Sequence, residues 1–113
     1  GKIAMGFRQA AEGSVEENPV AREAGLARPA LDYFRMFYAD TAVNGVASAL
    51  ACGVEFFGPE RCLFASDAPF DPKGGAHLIE QDIRMIDSAD IDAAARDAIY
   101  SGNAARLLRL TLV

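Results

Sequence analysis

Apolar residues recur at helical spacing in several stretches of the chain. Pro29 suits the first turn of a helix and precedes the sequence ALDYFRMF, so a short helix is predicted over about 29–35. The next periodic stretch predicts an amphipathic helix over 46–57 that ends at Gly58-Pro59. The residues expected on its buried face are Val46, Leu50, Ala51, Val54 and Phe57.

Three further helices are predicted in the C-terminal half. The first is marked by apolar residues at Leu78, Ile79, Ile83 and Ile86. Asp90 is expected to cap the second, over roughly 91–100, with Ile91, Ala94, Ala95 and Ile99 on its inner face. Gly102 is expected to end that helix, and Asn103 to be the N-cap of a last helix with the sequence NAARLLRL.

Two stretches between these helices favour extended structure. The segment 36–42, MFYADTA, places aromatic residues before a turn at Asn44-Gly45. The segment 62–66, CLFAS, is apolar without alternation, which is typical of a parallel strand buried on both faces. The apolar run 3–11 is compatible with either a strand or a helix, and the acidic segment 12–19 has the composition of a solvated loop.

This order of elements indicates an α/β fold made of βα units. Such units require a parallel sheet whose strands are covered by helices and by neighbouring strands. Two strands with about five helices leave strand edges without partners, so the chain is expected to be part of a larger sheet.

Composition and charge narrow the class of protein. The chain has 113 residues, 51% of them hydrophobic and 24% charged, which is typical of a globular domain. A net charge of −5 argues against nucleic acid or anionic membrane as partner, and no apolar run approaches the roughly 18 residues of a membrane span. Cys52 and Cys62 both lie in apolar stretches, where buried free thiols are expected, and this favours a reducing cytoplasm. The chain starts at Gly1 rather than Met, which leaves open processing, a tag or a longer protein.

Two acids follow the predicted strands, and they are the candidate site residues. Asp40 comes after MFYA and Asp67 after CLFAS, at the carboxyl ends where functional groups of parallel sheets gather. A carboxylate directly after a buried strand needs a metal ion, an arginine or backbone N–H groups as partner. For each acid, capping of the local loop and a metal-binding or catalytic role both remain open.

Three segments together resemble a known family: YFRMFYADTA at 33–42, GPERCLFASDAPFDP at 58–72 and IYSGNAARLLRL at 99–110. Their sequence, order and spacing are similar to those of metal-dependent, amidohydrolase-related (β/α)8 barrels, which include 2-amino-3-carboxymuconate 6-semialdehyde decarboxylase and γ-resorcylate decarboxylase. The resemblance implies that residues 1–113 are the C-terminal segment of a single TIM (β/α)8 barrel domain. Two parallel strands with about five helices would then be incomplete as an isolated chain, since such a barrel takes about 250 residues.

The resemblance also implies a metal site. Asp67 takes the place of the family's last metal ligand, with a catalytic role, and the divalent metal is expected to be zinc or manganese. The family's histidine ligands have no counterpart here, because the single histidine, His77, falls on a helix and matches no ligand position. The isolated chain is therefore expected to be inactive.

The expected activity of the intact parent is non-oxidative decarboxylation, or hydrolysis, of aromatic or muconate-like carboxylic acids. Asp40, Pro69 and Phe70 are expected to line the substrate pocket, and homo-oligomerisation is a further expectation. Arg106 is expected on the last helix with its charge in solvent. The alternative is a small acidic α/β signalling or interaction domain in which Asp40 or Asp67 is a phosphoacceptor or partner contact. Such a domain would have about five strands, clustered acids after the first strand and a lysine after the last strand. Lys2 and Lys73 are the only lysines of this chain, and neither directly follows a final strand.

Overall fold

The computed structural model describes residues 14, 15 and 17–111. The chain divides into two compact units, residues 1–37 and 38–113. The prediction for 3–11 lies outside the described residues, as does part of the predicted acidic loop over 12–19.

The described residues of the first unit form two short helices, α1 (Pro19–Glu23) and α2 (Ala30–Phe34). Asn18 caps α1, because its side-chain oxygen accepts hydrogen bonds from the N–H groups of Val20 and Ala21, both at 3.1 Å. Helix α2 confirms the predicted short helix, with Pro29 in the N-cap position rather than inside the first turn.

The second unit has the predicted βαβα order. Strand β1 (Ala39–Asp40) is followed by α3 (Ala47–Phe57), a 3₁₀ turn (Pro59–Arg61) and β2 (Cys62–Leu63). Helices α4 (Ala76–Ser88) and α5 (Ala93–Asp97), a π-helical turn (Ala98–Gly102) and α6 (Asn103–Leu108) complete it. The strands are parallel, in a register that pairs Ala39 with Cys62 and Asp40 with Leu63. Two parallel strands with their covering helices match part of a (β/α)8 barrel, as predicted.

The hydrophobic core of this unit lies between β2 and the helices that surround it. Its buried members are Leu50, Cys62, Met85, Ile86 and Ile99, contributed by α3, β2, α4 and the π turn. Burial and the nearby Glu60 charge raise the pKa of the Cys62 thiol, which keeps it protonated. Within the described part of the chain, no helix is both long enough and apolar enough to cross a membrane.

The predicted helix faces are correct in part. Leu50 is buried, and Val54 and Phe57 pack against the core, whereas Val46 and Ala51 are exposed. On α4, Ile86 is buried but Ile79 and Ile83 are each 38% exposed. The inner face of α4 instead includes Asp82, which accepts a hydrogen bond from the Gly45 N–H at 2.8 Å and is fully buried.

Cys52 is exposed, contrary to the prediction that both thiols are buried. It lies on α3 two residues from Leu50, and residues two apart on a helix point to different sides. Its apolar sequence neighbours therefore do not shield it from solvent.

Strand β2 is shorter than the predicted 62–66. The ladder continues as far as the Thr41 N–H, which donates to Leu63 O at 3.0 Å. The Phe64 N–H then donates to Ile99 O of the π turn at 2.9 Å, and the Ala65 N–H donates to the hydroxyl of Thr41, which directly follows β1, at 3.1 Å. The backbone groups after Leu63 are therefore satisfied outside a regular ladder.

The predicted break in the C-terminal helix is wrong. Asp92, not Asp90, is the N-cap of α5, accepting from the Ala95 N–H at 2.7 Å. The chain then continues through the π turn into α6 without a stop, because Gly102 (φ −59°) and Asn103 (φ −67°) both have helical backbones.

Asn103 is fully buried and serves as an anchor for β2 rather than as a cap. Its amide donates to Pro59 O and to Cys62 O, both at 2.7 Å. Arg106 lies on the last helix and is exposed, as predicted, and its guanidinium also donates to the Asn103 side-chain oxygen at 2.9 Å and to Glu60 O at 2.6 Å. These contacts between distant segments outweigh the local tendency of Gly-Asn to end a helix.

Candidate functional site

The two candidate acids lie at the carboxyl ends of the parallel strands. Asp40 is the last residue of β1 and is exposed, and its side chain accepts a hydrogen bond from the Ala42 N–H at 3.1 Å. Asp67 follows β2 by four residues and its side chain is also exposed. Across residues 14, 15 and 17–111, no hydrogen bond or ion pair to the Asp67 carboxylate is found, so both of its oxygens remain available to a ligand.

The backbone of Asp67 is in the left-handed region, with φ +55°. Aspartate is among the non-glycine residues that tolerate this conformation best. The Phe70 N–H donates to Asp67 O at 3.0 Å, and this bond closes a turn that contains the cis Ala68-Pro69 peptide. The sharp turn ends the buried path of β2 and brings the carboxylate to the surface.

The loop after Asp67 packs directly on the start of α4. A Cβ on Gly75, whose φ is +96°, would lie 2.5 Å from the Ala68 Cβ and 3.1 Å from the Pro69 Cα. Only glycine allows the helix to begin this close to the loop. The rigid start of α4 thereby supports the residues that follow Asp67.

Asp71 fixes the same loop through hydrogen bonds. Its carboxylate accepts from the Leu78 N–H at 3.1 Å, in the first turn of α4, and from the Lys73 N–H. Loss of water opposes ionisation, but the backbone donors Leu78, Lys73 and Gly75, together with the nearby His77, hold the pKa of Asp71 below its usual value. Asp71 therefore replaces the capping side chain that Gly75 lacks.

The predicted pocket residues Pro69 and Phe70 are both exposed. Phe70 is 86% exposed, so its ring does not serve to pack the loop. An aromatic ring three residues after a free carboxylate is available to stack on a flat ligand. His77 lies in the first turn of α4 and is exposed.

The described residues of this region do not form a complete metal site. Asp67 has the hard, anionic oxygens that suit manganese or zinc. Among the residues that the structure describes, no three His, Cys, Asp or Glu side chains are placed to hold a metal ion together. Zinc sites take at least three protein ligands, so Asp67 fits such a site as one ligand and the others must come from elsewhere.

Sequence reasoning missed the side chains that hold β2 in place. Thr41 is 2% exposed, and its hydroxyl bonds both backbone groups of Ala65, at the carboxyl end of the strand. Asn103 and Arg106 hold the amino end. The only sequence signal was that these polar residues fall within the family-like segments, which does not distinguish an anchor from a cap.

Comparison with known proteins gives a family match and several structural matches. The family model described as "Amidohydrolase" matches residues 16–110. No match was found among curated protein sequences.

Three of the structural matches are decarboxylases. A dihydroxybenzoic acid decarboxylase from Polaromonas sp. JS666, solved with manganese and the inhibitor 2-nitroresorcinol, is 27% identical with a TM-score of 0.66, over 94% of this chain and 29% of that one. The 5-carboxyvanillate decarboxylase of Sphingomonas paucimobilis is 28% identical with a TM-score of 0.62, over 75% of this chain and 24% of that one. A 2,6-dihydroxybenzoate decarboxylase from Rhizobium is 27% identical with a TM-score of 0.60, over 74% of this chain and 24% of that one. The chain thus spans about a quarter of the length of the solved structures that it matches.

Proposed function

The chain belongs to the amidohydrolase family, and on that premise we propose that it is the C-terminal segment of a metal-dependent decarboxylase of aromatic carboxylic acids. Residues 1–113 would form the last part of a single (β/α)8 barrel domain. The observation that carries the proposal is the exposed Asp67 carboxylate, which follows β2 and has no partner among the described residues. The similarity to a manganese-containing dihydroxybenzoic acid decarboxylase over 94% of the chain supports it.

In this proposal Asp67 is a metal ligand, and segments outside this sequence supply the remaining ligands. Manganese is the first metal to test, because a relative contains it, and zinc is the second. A divalent metal bound there would act as a Lewis acid toward oxygens of the substrate. The left-handed backbone at Asp67 lies in a turn closed by the Phe70 N–H, and the carboxylate is exposed there to an incoming metal.

The neighbouring loop would select the substrate. Phe70 presents an exposed ring that would stack on an aromatic acid, and the exposed Pro69 would lie beside it. The Asp40 carboxylate, at the end of β1, would accept a hydrogen bond from a ring hydroxyl. We therefore propose hydroxybenzoic acids as the substrate class. The relatives' decarboxylase activities favour loss of CO₂ over hydrolysis.

The test uses the natural full-length protein that carries this segment. The purified protein is assayed for bound metal by mass spectrometry and for CO₂ release from 2,6-dihydroxybenzoate and 5-carboxyvanillate. We expect about one metal ion per chain and turnover of at least one of these acids. A metal-containing protein that releases no CO₂ but hydrolyses other substrates would refute the decarboxylase assignment.

The role of Asp67 is tested with Asp67→Asn, which tolerates the left-handed backbone better than alanine does. We expect the metal content and turnover to fall by at least 100-fold, with the thermal unfolding temperature nearly unchanged. Asp90→Asn is the matched control, because Asp90 is an exposed acid just after the far end of α4. Retention of metal and activity in Asp67→Asn would remove Asp67 from the site.

The 113-residue chain alone provides a further check. Because its described residues form no group of three metal ligands, it is expected to bind manganese only weakly and to release no CO₂ from either acid. Measurable turnover by the isolated chain would contradict the proposed division of the metal site.

A further inference from the structure

Thr41 makes an unusual pair of hydrogen bonds at the end of β1. Its hydroxyl donates to Ala65 O at 3.2 Å and accepts from the Ala65 N–H at 3.1 Å. A hydroxyl can do both at once, because it has one donor hydrogen and two acceptor lone pairs. The side chain is 2% exposed, so water does not compete for these bonds.

These bonds extend the β1–β2 pairing beyond the backbone ladder. The last backbone bond between the strands joins the Thr41 N–H to Leu63 O at 3.0 Å. Beyond that bond, the Thr41 hydroxyl pairs with both the N–H and the C=O of Ala65. In a longer ladder, backbone groups of the neighbouring strand would take this place. The path of the chain toward Asp67 is thereby fixed at Ala65.

We propose that Thr41 is a positioning residue for Asp67: its hydroxyl fixes the end of β2 two residues before the carboxylate and so sets where that carboxylate meets the metal. The inference rests on the proposed function of Asp67. Two residues span at most about 7 Å, so the position of Ala65 limits where the Asp67 backbone can lie. Ser66, between them, is buried, and the residues after Asp67 are held against Gly75. The turn is therefore held on both sides.

Three substitutions at Thr41 separate the hydroxyl from the rest of the side chain. Thr41→Val has nearly the same shape but leaves the Ala65 N–H and C=O without their partner. Thr41→Ser keeps the hydroxyl and loses only a methyl group. Thr41→Cys substitutes a weaker donor and acceptor.

Asn103 provides a control for general loss of stability. It is likewise a buried polar side chain with two hydrogen bonds to the β2 region, but at the amino end, through Pro59 O and Cys62 O. Asn103→Leu is expected to weaken the fold without moving the carboxyl end of the strand. A loss of metal affinity that is specific to Thr41→Val therefore cannot be attributed to stability alone.

The experiment measures manganese affinity of the full-length protein by titration, together with amide hydrogen exchange of residues 65–67. We expect Thr41→Val to weaken manganese binding by about 10- to 100-fold, the range for residues that orient metal ligands. Thr41→Ser should bind within about twofold of the wild type, and Asn103→Leu should do the same at temperatures where it is folded. Exchange at Ala65 should rise in Thr41→Val by more than exchange at the core amides, and in Asn103→Leu by no more than exchange at those amides.

The experiment distinguishes failure of the positioning role of Thr41 from failure of the proposed function. If the wild-type protein binds no metal, the proposed function fails, and with it the role of Thr41 toward Asp67. If the wild type binds manganese but Thr41→Val binds equally well, or Asn103→Leu loses as much, the positioning role is overturned. If Thr41→Val does not fold, Thr41→Cys replaces it: intermediate affinity supports the inference, and wild-type affinity overturns it.

Discussion

Replacement of Asn103 by leucine tests how α6 holds β2. Leucine is similar in size but cannot donate to Pro59 O or Cys62 O, each of which accepts from the Asn103 amide at 2.7 Å. A buried acceptor left without a partner costs about 1–3 kcal/mol. Cys62 O is buried and should incur most of that cost, whereas Pro59 O is only partly buried and should incur less. The free energy of unfolding is therefore expected to fall by about 2–4 kcal/mol.

The companion variant Asn103→Asp adds a charge to the same test. At neutral pH it places a carboxylate against two carbonyl oxygens, so the loss of stability should exceed that of Asn103→Leu. Burial and the two carbonyl oxygens raise the pKa of the new carboxyl, because only its protonated form can donate to a carbonyl. They outweigh the Arg106 guanidinium that bonds the same side chain, since Arg106 is exposed and its charge is screened by water. Stability should therefore recover as the pH falls toward 4 and below, and be lost again as the pH rises through that raised pKa.

Urea unfolding followed by circular dichroism, at pH 7 and at pH 4, measures both effects. For an unfolding slope of about 2 kcal/mol per molar urea, in the middle of the usual range, the Asn103→Leu midpoint should fall by roughly 1–2 M. Ser101→Ala is the control, since Ser101 is exposed on the same π turn and should change stability by less than about 0.5 kcal/mol. A midpoint for Asn103→Leu within about 0.2 M of the wild type would refute the claim that Asn103 anchors β2. The same conclusion would follow if the stability of Asn103→Asp, relative to the wild type, did not depend on pH.

Three further predictions concern α4 and the loop before it. Arg96→Met should lower the free energy of unfolding, measured in urea, by about 2 kcal/mol. The reason is that the Arg96 side chain donates to three backbone carbonyls at and after the end of α4. An unchanged free energy of unfolding would show that water replaces these hydrogen bonds. Gly75→Ala should lower the thermal unfolding temperature more than Gly74→Ala does. Both glycines have positive φ, but only a Cβ on Gly75 would contact other residues. An equal fall in unfolding temperature for the two variants would contradict the close packing at Gly75. Asp71 has a lowered pKa, so its contribution to stability is present above about pH 4 and is lost as the pH falls through that pKa. Asp71→Asn should therefore reduce the loss of stability measured between pH 5 and 2. If stability falls with pH as steeply in the variant as in the wild type, Asp71 does not contribute to that loss.

The sequence predicts the helices and their order better than their contacts. The period of apolar residues locates α3 to within one residue, because an amphipathic helix needs its apolar stripe whatever its neighbours are. The same period misplaces part of the α4 face, where Asp82 occupies a buried position that a hydrophobic pattern assigns to solvent. Its partner, the Gly45 N–H, is 37 residues away in the sequence, beyond the reach of any local rule.

The sequence predicts where Asp67 lies in the fold, but not the contacts that hold the surrounding backbone in place. The apolar run followed by an acid places Asp67 at the carboxyl end of β2, where the structure has it. Neither the left-handed turn at Asp67 nor the hydroxyl of Thr41 on Ala65 leaves a periodic signal. The C-terminal segment shows the same limit: Gly102-Asn103 has the local composition of a helix stop, and only the fold shows that Asn103 is bonded to β2.

The π turn makes the length of the C-terminal segment as important as its sequence. In this turn the Asn103 N–H bonds Ala98 O, five residues back rather than the four of an α-helix. It therefore sets the angle between Ile99, which faces the core, and Asn103, which holds β2. Deletion or insertion of a single residue between them would rotate Asn103 by roughly 100° around the helix axis. We expect natural relatives of this chain to vary in side chains at 100–102 but to keep their number, so that an insertion or deletion there would mark a different attachment of the last helix.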